Sequence, residues 1–138
     1  MSELAFRYRF DDDDDFGRLY VTVTTDKFSG RGGFWVQWRD VREFGESLST
    51  YPIKADAPLS ASWGYEMQEG DDLVVSLEIA PANATGDLRV RVELADEDER
   101  SERVRTSFVT NYPDLEQFRI AIGALMDRET DEAVLAGR

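Results

Sequence analysis

The sequence predicts a single α+β domain over residues 1–138: an antiparallel, curved β-meander with a mid-chain helix and a C-terminal helix packed against it. Two patterns predict this class. Apolar residues mostly alternate with polar ones, which is the period of a strand, and two stretches instead repeat every three or four residues, which is the period of a helix. No repeat or linker interrupts the chain, and 138 residues are enough to bury a core without disulfides.

The first third of the chain predicts three strands. Leu4, Phe6, Tyr8 and Phe10 alternate with polar or small residues and end at the aspartate run 11–15. The alternation continues over residues 18–25 and again over residues 34–38. Because the segment 27–33 between the last two strands contains several glycines, we expect it to be a hairpin loop.

The mid-chain helix is predicted from apolar residues spaced three and four apart between Trp38 and Leu48. Asp40 is expected to cap its N-terminus, with Glu43 reaching back as in a capping box. The sequence Tyr51-Pro52 ends the helix, because a proline disfavours helical backbone in the residue before it.

The rest of the chain predicts further strands and the C-terminal helix. We expect strands over residues 60–66, 73–80, 88–95 and 104–112, with one apolar and one polar face. Pro113 suits the first turn of a helix. Its apolar stripe consists of Leu115, Phe118, Ile122, Leu125 and Met126. A cap at Thr130 predicts a short final helix that ends near Gly137.

The composition disfavours catalysis. The chain has no His and no Cys, which removes the commonest general base and the thiol nucleophile. It also lacks the motifs of serine hydrolases, phosphate-binding loops and metalloproteases. We therefore expect no enzyme activity, no catalytic residue, no cofactor and no metal centre.

The charge of the chain restricts its partners. There are 29 Asp and Glu against 16 Lys and Arg, so the formal net charge is -13. This surface repels nucleic acid and anionic lipid and favours a basic protein. No run of apolar residues is long enough for a signal peptide or a membrane span, which predicts a cytoplasmic protein. The oligomeric state is left open.

Three acidic runs form the candidate binding site, and all three fall at predicted hairpin tips. Alternate turns of a meander lie at opposite ends of the sheet, so the turn before residue 73 and the turn after residue 94 share one end. The sequence thus predicts a docking surface for a basic partner. Its residues are Glu69, Asp71, Asp72, Asp96, Glu97 and Asp98. The end on which residues 11–15 lie is not fixed by this pattern.

The run 11–15 allows a second interpretation. Asp11, Asp13 and Asp15 have the first three spacings of a calcium-binding EF-hand loop. The pattern then departs from that loop, because Phe16 replaces the glycine and Thr22 replaces the final glutamate. A loose cation site, a docking site and a solvated turn that blocks edge pairing are the alternatives for these residues.

The polar face of the predicted sheet is a further candidate. Arginine and tryptophan are enriched in interface hot spots, whereas arginines opposite Glu78, Glu93 and Glu102 would simply form cross-strand pairs. The residues expected on this face are Arg7, Arg9, Tyr20, Trp35, Gln37, Arg89, Arg91, Arg103 and Arg105.

The order of these elements resembles that of small bacterial proteins of the WapI-type immunity class and of related uncharacterised bacterial families. The resemblance is in the pattern of a strand pair, the segment 34–36 leading into a helix with residues 44–48, a meander, and the segment 111–118. It implies a non-catalytic cytoplasmic protein that neutralises a secreted toxin by tight binding. No residue role is carried over, since no motif matches position by position.

The sequence therefore predicts a non-catalytic, acidic binding protein, with an immunity-type inhibitor of a basic toxin as its specific form. The alternative is a structural or regulatory domain whose acidity reflects its genome or habitat. The abundance of Arg, Asp, Ala, Gly and Val, with only two lysines, is typical of a GC-rich bacterial genome and supports this alternative.

Overall fold

A computed structural model describes residues 1–65 and 72–138. Eight strands and two helices follow one another along these two stretches. In chain order they are β1 (Ser2–Arg9), β2 (Phe16–Thr24), β3 (Ser29–Gln37), α1 (Trp38–Ser47), β4 (Leu59–Gly64), β5 (Leu73–Pro81), β6 (Asp87–Ala95), β7 (Arg103–Asn111), α2 (Tyr112–Met126) and β8 (Ala133–Gly137). None of the described helices is long and apolar enough to cross a membrane.

The strands form two four-stranded antiparallel sheets. The first sheet has the order β3-β2-β1-β8, and the second has the order β4-β5-β6-β7. The α+β class with antiparallel strands, a mid-chain helix and a C-terminal helix is confirmed. The division of the strands between two sheets is a detail that alternation alone does not contain, because alternation shows which side of a strand is apolar and not which sheet it joins.

One hydrophobic core connects both sheets and both helices. The ring of Phe6 on β1 contacts Phe44 of α1 and Phe118 of α2, with ring centroids 6.0 and 5.3 Å apart. Phe44 in turn lies against Trp63 of β4. Both helices therefore share one core with the two sheets, and the polar face of each sheet is left on the outside.

The glycine-rich segment after β2 is part of a strand, so the prediction of a loop over residues 27–33 is wrong. The hairpin turn is shorter, with the Thr25 N–H donating to the Phe28 carbonyl at 2.8 Å. Residues 29–37 then pair with β2. Gly30 lies directly against the side chain of Val104, and a Cβ on Gly32 would lie 3.1 Å from the Ala95 carbonyl. These glycines allow β3 to approach the second sheet closely.

The start of α1 also differs from the prediction. Gln37 occupies the N-cap and makes no side-chain capping bond, whereas Asp40 lies in the first turn. The Trp38 N–H donates instead to the Asp15 carbonyl at 3.1 Å. A backbone group of the aspartate run thus replaces the expected capping box, while the Asp40 carboxylate still favours the positive end of the helix dipole.

The last two elements divide into one confirmed prediction and one wrong prediction. The Asn111 side chain caps α2 by accepting from the Asp114 N–H at 2.8 Å, and Pro113 lies in the first turn as expected. The final segment is β8, where the sequence predicts a short helix capped by Thr130. Pairing with β1, in which Leu135 lies opposite Leu4, outweighs the helix propensity of its Ala and Leu residues.

Candidate binding surface

Asp72, the described acidic residue of the run 69–72, lies beside the β6–β7 turn, as expected. Glu69 and Asp71 lie outside the described residues. The Arg100 guanidinium, in the β6–β7 turn, forms an ion pair with Asp72 at 2.8 Å. The Tyr65 hydroxyl donates to the Glu97 carbonyl at 2.9 Å, and the Tyr65 N–H donates to the Asp72 carbonyl at 2.8 Å. The start of β5 and the β6–β7 turn therefore lie at the same end of the sheet.

The β6–β7 turn over residues 96–99, here called the second acidic turn, is ordered by its own side chains. Asp96 Oδ2 accepts from the N–H groups of Asp98 and Glu99, at 3.1 and 2.8 Å. This is the local turn that aspartate favours. The Asp98 side chain is exposed and makes no hydrogen bond or ion pair within the described residues. The backbone of the turn is therefore held in place, and Asp98 presents its carboxylate to solvent.

The run 11–15, here called the first acidic turn, is ordered in a similar way. Asp11 Oδ1 accepts from the Asp13 N–H at 3.0 Å, and Asp14 Oδ1 accepts from the Phe16 N–H at 3.2 Å. Asp15 forms an ion pair with Arg39 at 3.6 Å. Within the described residues, no three acidic side chains are arranged to hold a metal ion. The cation site, the docking site and the solvated turn all stay predictions for Asp11, Asp13 and Asp15.

The outer face of the first sheet carries arginines and aromatic rings in register. Arg9, Arg18 and Trp35 lie opposite one another on β1, β2 and β3, and the next row places Arg7 opposite Tyr20. Trp35 and Tyr20 are 52% and 40% exposed. We call this surface the arginine–aromatic face. Its residues are Arg7, Arg9, Arg18, Tyr20, Arg31 and Trp35.

Arg18 connects this face to the second acidic turn. Its guanidinium lies 5.6 Å from the ring centres of both Tyr20 and Trp35 and forms an ion pair with the half-buried Glu97. The hydrogen bond to Glu97 raises the pKa of Arg18, so the guanidinium stays charged. One side chain therefore fixes the two aromatic rings and holds the turn of the second sheet beside the first sheet.

Two open cavities border Arg18 and Tyr20. The first, of about 370 Å³, is lined by Arg7, Arg31 and the second acidic turn. The other, of about 520 Å³, is lined by Arg9, Trp35 and the first acidic turn. The structure thus answers what the sequence leaves open: Asp11 and Asp13 flank the same face as Asp96, Glu97 and Asp98, whereas the Asp15 side chain lies at Arg39.

The polar face predicted from the sequence is divided between the two sheets. Arg7, Arg9, Tyr20, Trp35 and Gln37 belong to the first sheet. Arg89, Arg91, Arg103 and Arg105 belong to the second. Arg18 and Arg31 are the residues that the sequence interpretation missed. The alternation in β2 was enough to find Arg18, whereas Arg31 was hidden by the assignment of its segment to a loop.

Comparisons of the chain with protein-family models, with curated proteins and with solved structures found no match. No residue role is therefore taken from a relative, and the surface is interpreted from its own contacts. Exposed Trp and Tyr beside arginine are features of protein-binding surfaces. The carboxylates on two sides of this face would attract cationic side chains of a protein.

Proposed function

We propose that the chain is a non-catalytic protein-binding domain that docks a basic partner on the arginine–aromatic face, between its two acidic turns. The observation that carries the proposal is that both turns flank one face on which Trp35 and Tyr20 are exposed. An immunity-type inhibitor that neutralises a basic toxin in the cytoplasm is the specific form we propose.

The two kinds of residue on this surface have different roles in docking. The aromatic rings supply contact area with few rotatable bonds, so Trp35 and Tyr20 are the expected anchors. The carboxylates attract a cationic protein from a distance and speed its association, which a net charge of -13 reinforces. The surface would therefore bind quickly through charge and firmly through the rings.

A non-catalytic role is supported by the position of the carboxylates. Asp11, Asp13, Asp96 and Asp98 are exposed at turns. An acid–base pair needs one carboxyl group removed from water, because burial is what raises its pKa into the working range. The turns lack that environment.

The alternative remains a structural or regulatory domain whose acidity comes from genome or habitat. The second sheet favours it locally, because Glu78 and Glu93 form ion pairs with Arg91, Arg103 and Arg105 of the same sheet. Carboxylates used in this way need no external partner. The two proposals differ at the acidic turns, and these are the residues to change.

The test reverses one carboxylate in each turn, Asp13→Lys with Asp98→Lys. Both side chains are free of hydrogen bonds to described residues, so the turns keep their geometry. The control is Glu46→Lys with Asp56→Lys, which changes the net charge equally. Asp56 precedes Leu59, which pairs with Ile79 at the end of β4 remote from the second acidic turn. Glu46 lies in the last turn of α1, whereas the Asp15 carbonyl accepts from the first residue of that helix.

The basic partner is first captured from cells of the source organism at about 0.1 M and about 1 M NaCl, where charges are screened beyond about 10 and 3 Å. Its affinity for each variant is then measured by calorimetry. We expect the turn variant to bind at least roughly tenfold more weakly and the control variant to bind within about threefold of the unchanged chain. Equal affinity of the two variants would refute the proposed docking surface.

A further inference from the structure

The cavity of about 370 Å³ contains three guanidinium groups and three carboxylates, and most of them are already paired. Its cations are Arg7, Arg18 and Arg31. Its anions are Asp96, Glu97 and Asp98. Opposite charges in one cavity tend to pair with each other. The charged groups that stay unpaired are therefore the ones that a ligand of opposite charge can pair with.

Two of the three cations are neutralised by the chain itself. Arg18 pairs with Glu97 inside the cavity. Arg7 pairs with Glu132 at 3.0 Å, outside it. Arg31 makes no ion pair with any residue that the structure describes, and its side chain is exposed. Arg31 is thus the uncompensated cation of the cavity.

Two of the three carboxylates of the cavity are also held by groups of the chain. Glu97 is held by Arg18, and Asp96 accepts two backbone N–H groups of its own turn. Asp98 is left without a partner among the described side chains. One guanidinium and one carboxylate without a partner among the described residues therefore line the same cavity, beside Asp96, whose charge the neutral backbone donors leave in place. Gly32, next to Arg31, adjoins the Ala95 carbonyl just before the acidic turn, which brings the two charges to neighbouring walls.

From this we infer that the cavity takes a protein segment of mixed charge, in which a carboxylate side chain meets Arg31 and a Lys or Arg side chain meets Asp98. The inference rests on the proposed function and deepens it: the partner is basic as a whole, but the segment that enters the cavity carries both signs. Complementary charge on both walls gives the segment one orientation, since reversing it would place like charges together.

Attraction by acidity alone and binding of a mixed-charge segment predict opposite effects for one substitution. If only acidity attracts the partner, Arg31→Gln removes a repelling cation and binding becomes equal or tighter. If the segment carries both signs, Arg31→Gln removes its carboxylate partner and binding becomes weaker. Arg89→Gln is the matched control, because it makes the same charge change on the outer face of the second sheet, where the Arg89 side chain donates to Ser107 at 3.4 Å and makes no ion pair within the described residues.

The probes are synthetic nonapeptides in a Gly-Ser background, carrying one Lys and one Glu, two Lys, or two Glu. The charged residues are placed two positions apart, because alternate residues of an extended segment face the same side, about 7 Å apart. Binding to the whole chain is followed by nuclear magnetic resonance, through the Arg31 Nε–H and the Asp98 amide signals.

We expect the Lys–Glu peptide to bind at least about threefold more tightly than the Lys–Lys peptide. Arg31→Gln should remove that difference and Arg89→Gln should preserve it. If the Lys–Lys peptide binds equally well and Asp98→Lys weakens it, the inference is overturned and the proposed function survives. If no peptide shifts the two signals, the inference is overturned, whereas the proposed function stands or falls with the affinity of the captured partner for the turn variant.

Discussion

The outer faces of the two sheets arise from the same sequence pattern and form different surfaces. On the second sheet, the Arg103 guanidinium lies 2.7 Å from Glu93, and Arg105 shares the same carboxylate at 3.2 Å. On the first sheet, Arg9 and Arg31 have no such neighbour among the described residues, and the carboxylates lie at the turns. A strand that alternates Arg with apolar residues therefore yields a self-neutralised surface or an open one, depending on whether a glutamate lies within ion-pair distance of its arginines.

The difference teaches where to look for binding on an acidic protein. On the outer face of the second sheet the glutamates already pair with neighbouring arginines, so a partner finds fewer unpaired charges there. The first face leaves charges and two aromatic rings exposed, which is the state of a surface that gains by being covered. Net charge does not distinguish these two faces. What distinguishes them is that Arg9 and Arg31, beside exposed rings on the first, are unpaired among the described residues, whereas the second carries cross-strand ion pairs.

The largest expected effect is on the aromatic anchor. Trp35→Ala should weaken binding of the captured partner by about 2 kcal/mol, roughly thirtyfold, because a central tryptophan is the commonest kind of hot spot. Tyr51→Ala is the control. Tyr51 is more exposed, at 77%, but it packs on Tyr112 and lies off this face. Calorimetric titration of both variants makes the comparison, and an equal loss in both would show that the rings act only through general stability.

A smaller expected effect distinguishes the two faces when the free energy of unfolding and the affinity for the partner are both measured. Glu97→Gln and Glu93→Gln each remove the carboxylate charge from a half-buried ion pair and should lower the free energy of unfolding by about 1 kcal/mol. Only Glu97→Gln should also weaken partner binding, because it releases Arg18 from between the rings. Urea unfolding and titration are measured on the same samples. A binding loss for Glu93→Gln as large as that for Glu97→Gln would contradict the distinction.

The smallest effect concerns alkaline pH and the first sheet. Burial raises the pKa of Tyr8 from 10.0 to about 12, and its hydroxyl donates to the Val36 carbonyl at 2.6 Å. Between pH 10 and pH 12 the unfolded chain loses this proton while the folded chain keeps it, so stability falls as the pH rises.

Urea unfolding of the Tyr8→Phe variant and of the unchanged chain across this pH window tests the effect on stability. The variant lacks the hydrogen bond and should be less stable below pH 10, and the gap to the unchanged chain should narrow toward pH 12. A constant gap would mean that Tyr8 does not titrate differently in the two states. The described strands of the second sheet contain no tyrosine, so this response belongs to the first sheet alone.

The local sequence pattern was sufficient to predict most helices and strands and to place Asp72 and Glu97 at one end of the second sheet. The alternation from Leu73 to Leu94 fixes two strands and their turn, and Asn111 with Pro113 marks the start of α2. The shared end of Asp72 and Glu97 follows from the geometry of a meander. These features depend only on neighbours in the chain or on adjacent strands.

The remaining features depend on contacts between distant segments. Gly30 and Gly32 suit a loop equally well until the second sheet is known to press against them. The segment 133–137 becomes a strand only because β1 offers it an edge. The cavity walls come from both sheets, so Arg31 could not be placed beside Asp98 before the sheets themselves were placed.

The pairing of β8 with β1 has a consequence for how the arginine–aromatic face is formed during synthesis. Leu4 and Leu135 are about 130 residues apart in sequence, so closing this pair is among the most costly steps in chain entropy. The hairpins of β1, β2 and β3 can form early, but β1 then keeps an unpaired edge until β8 leaves the ribosome. The sheet that carries the arginine–aromatic face is thus the last to be completed, and a nascent chain has an open strand edge that invites association with other chains.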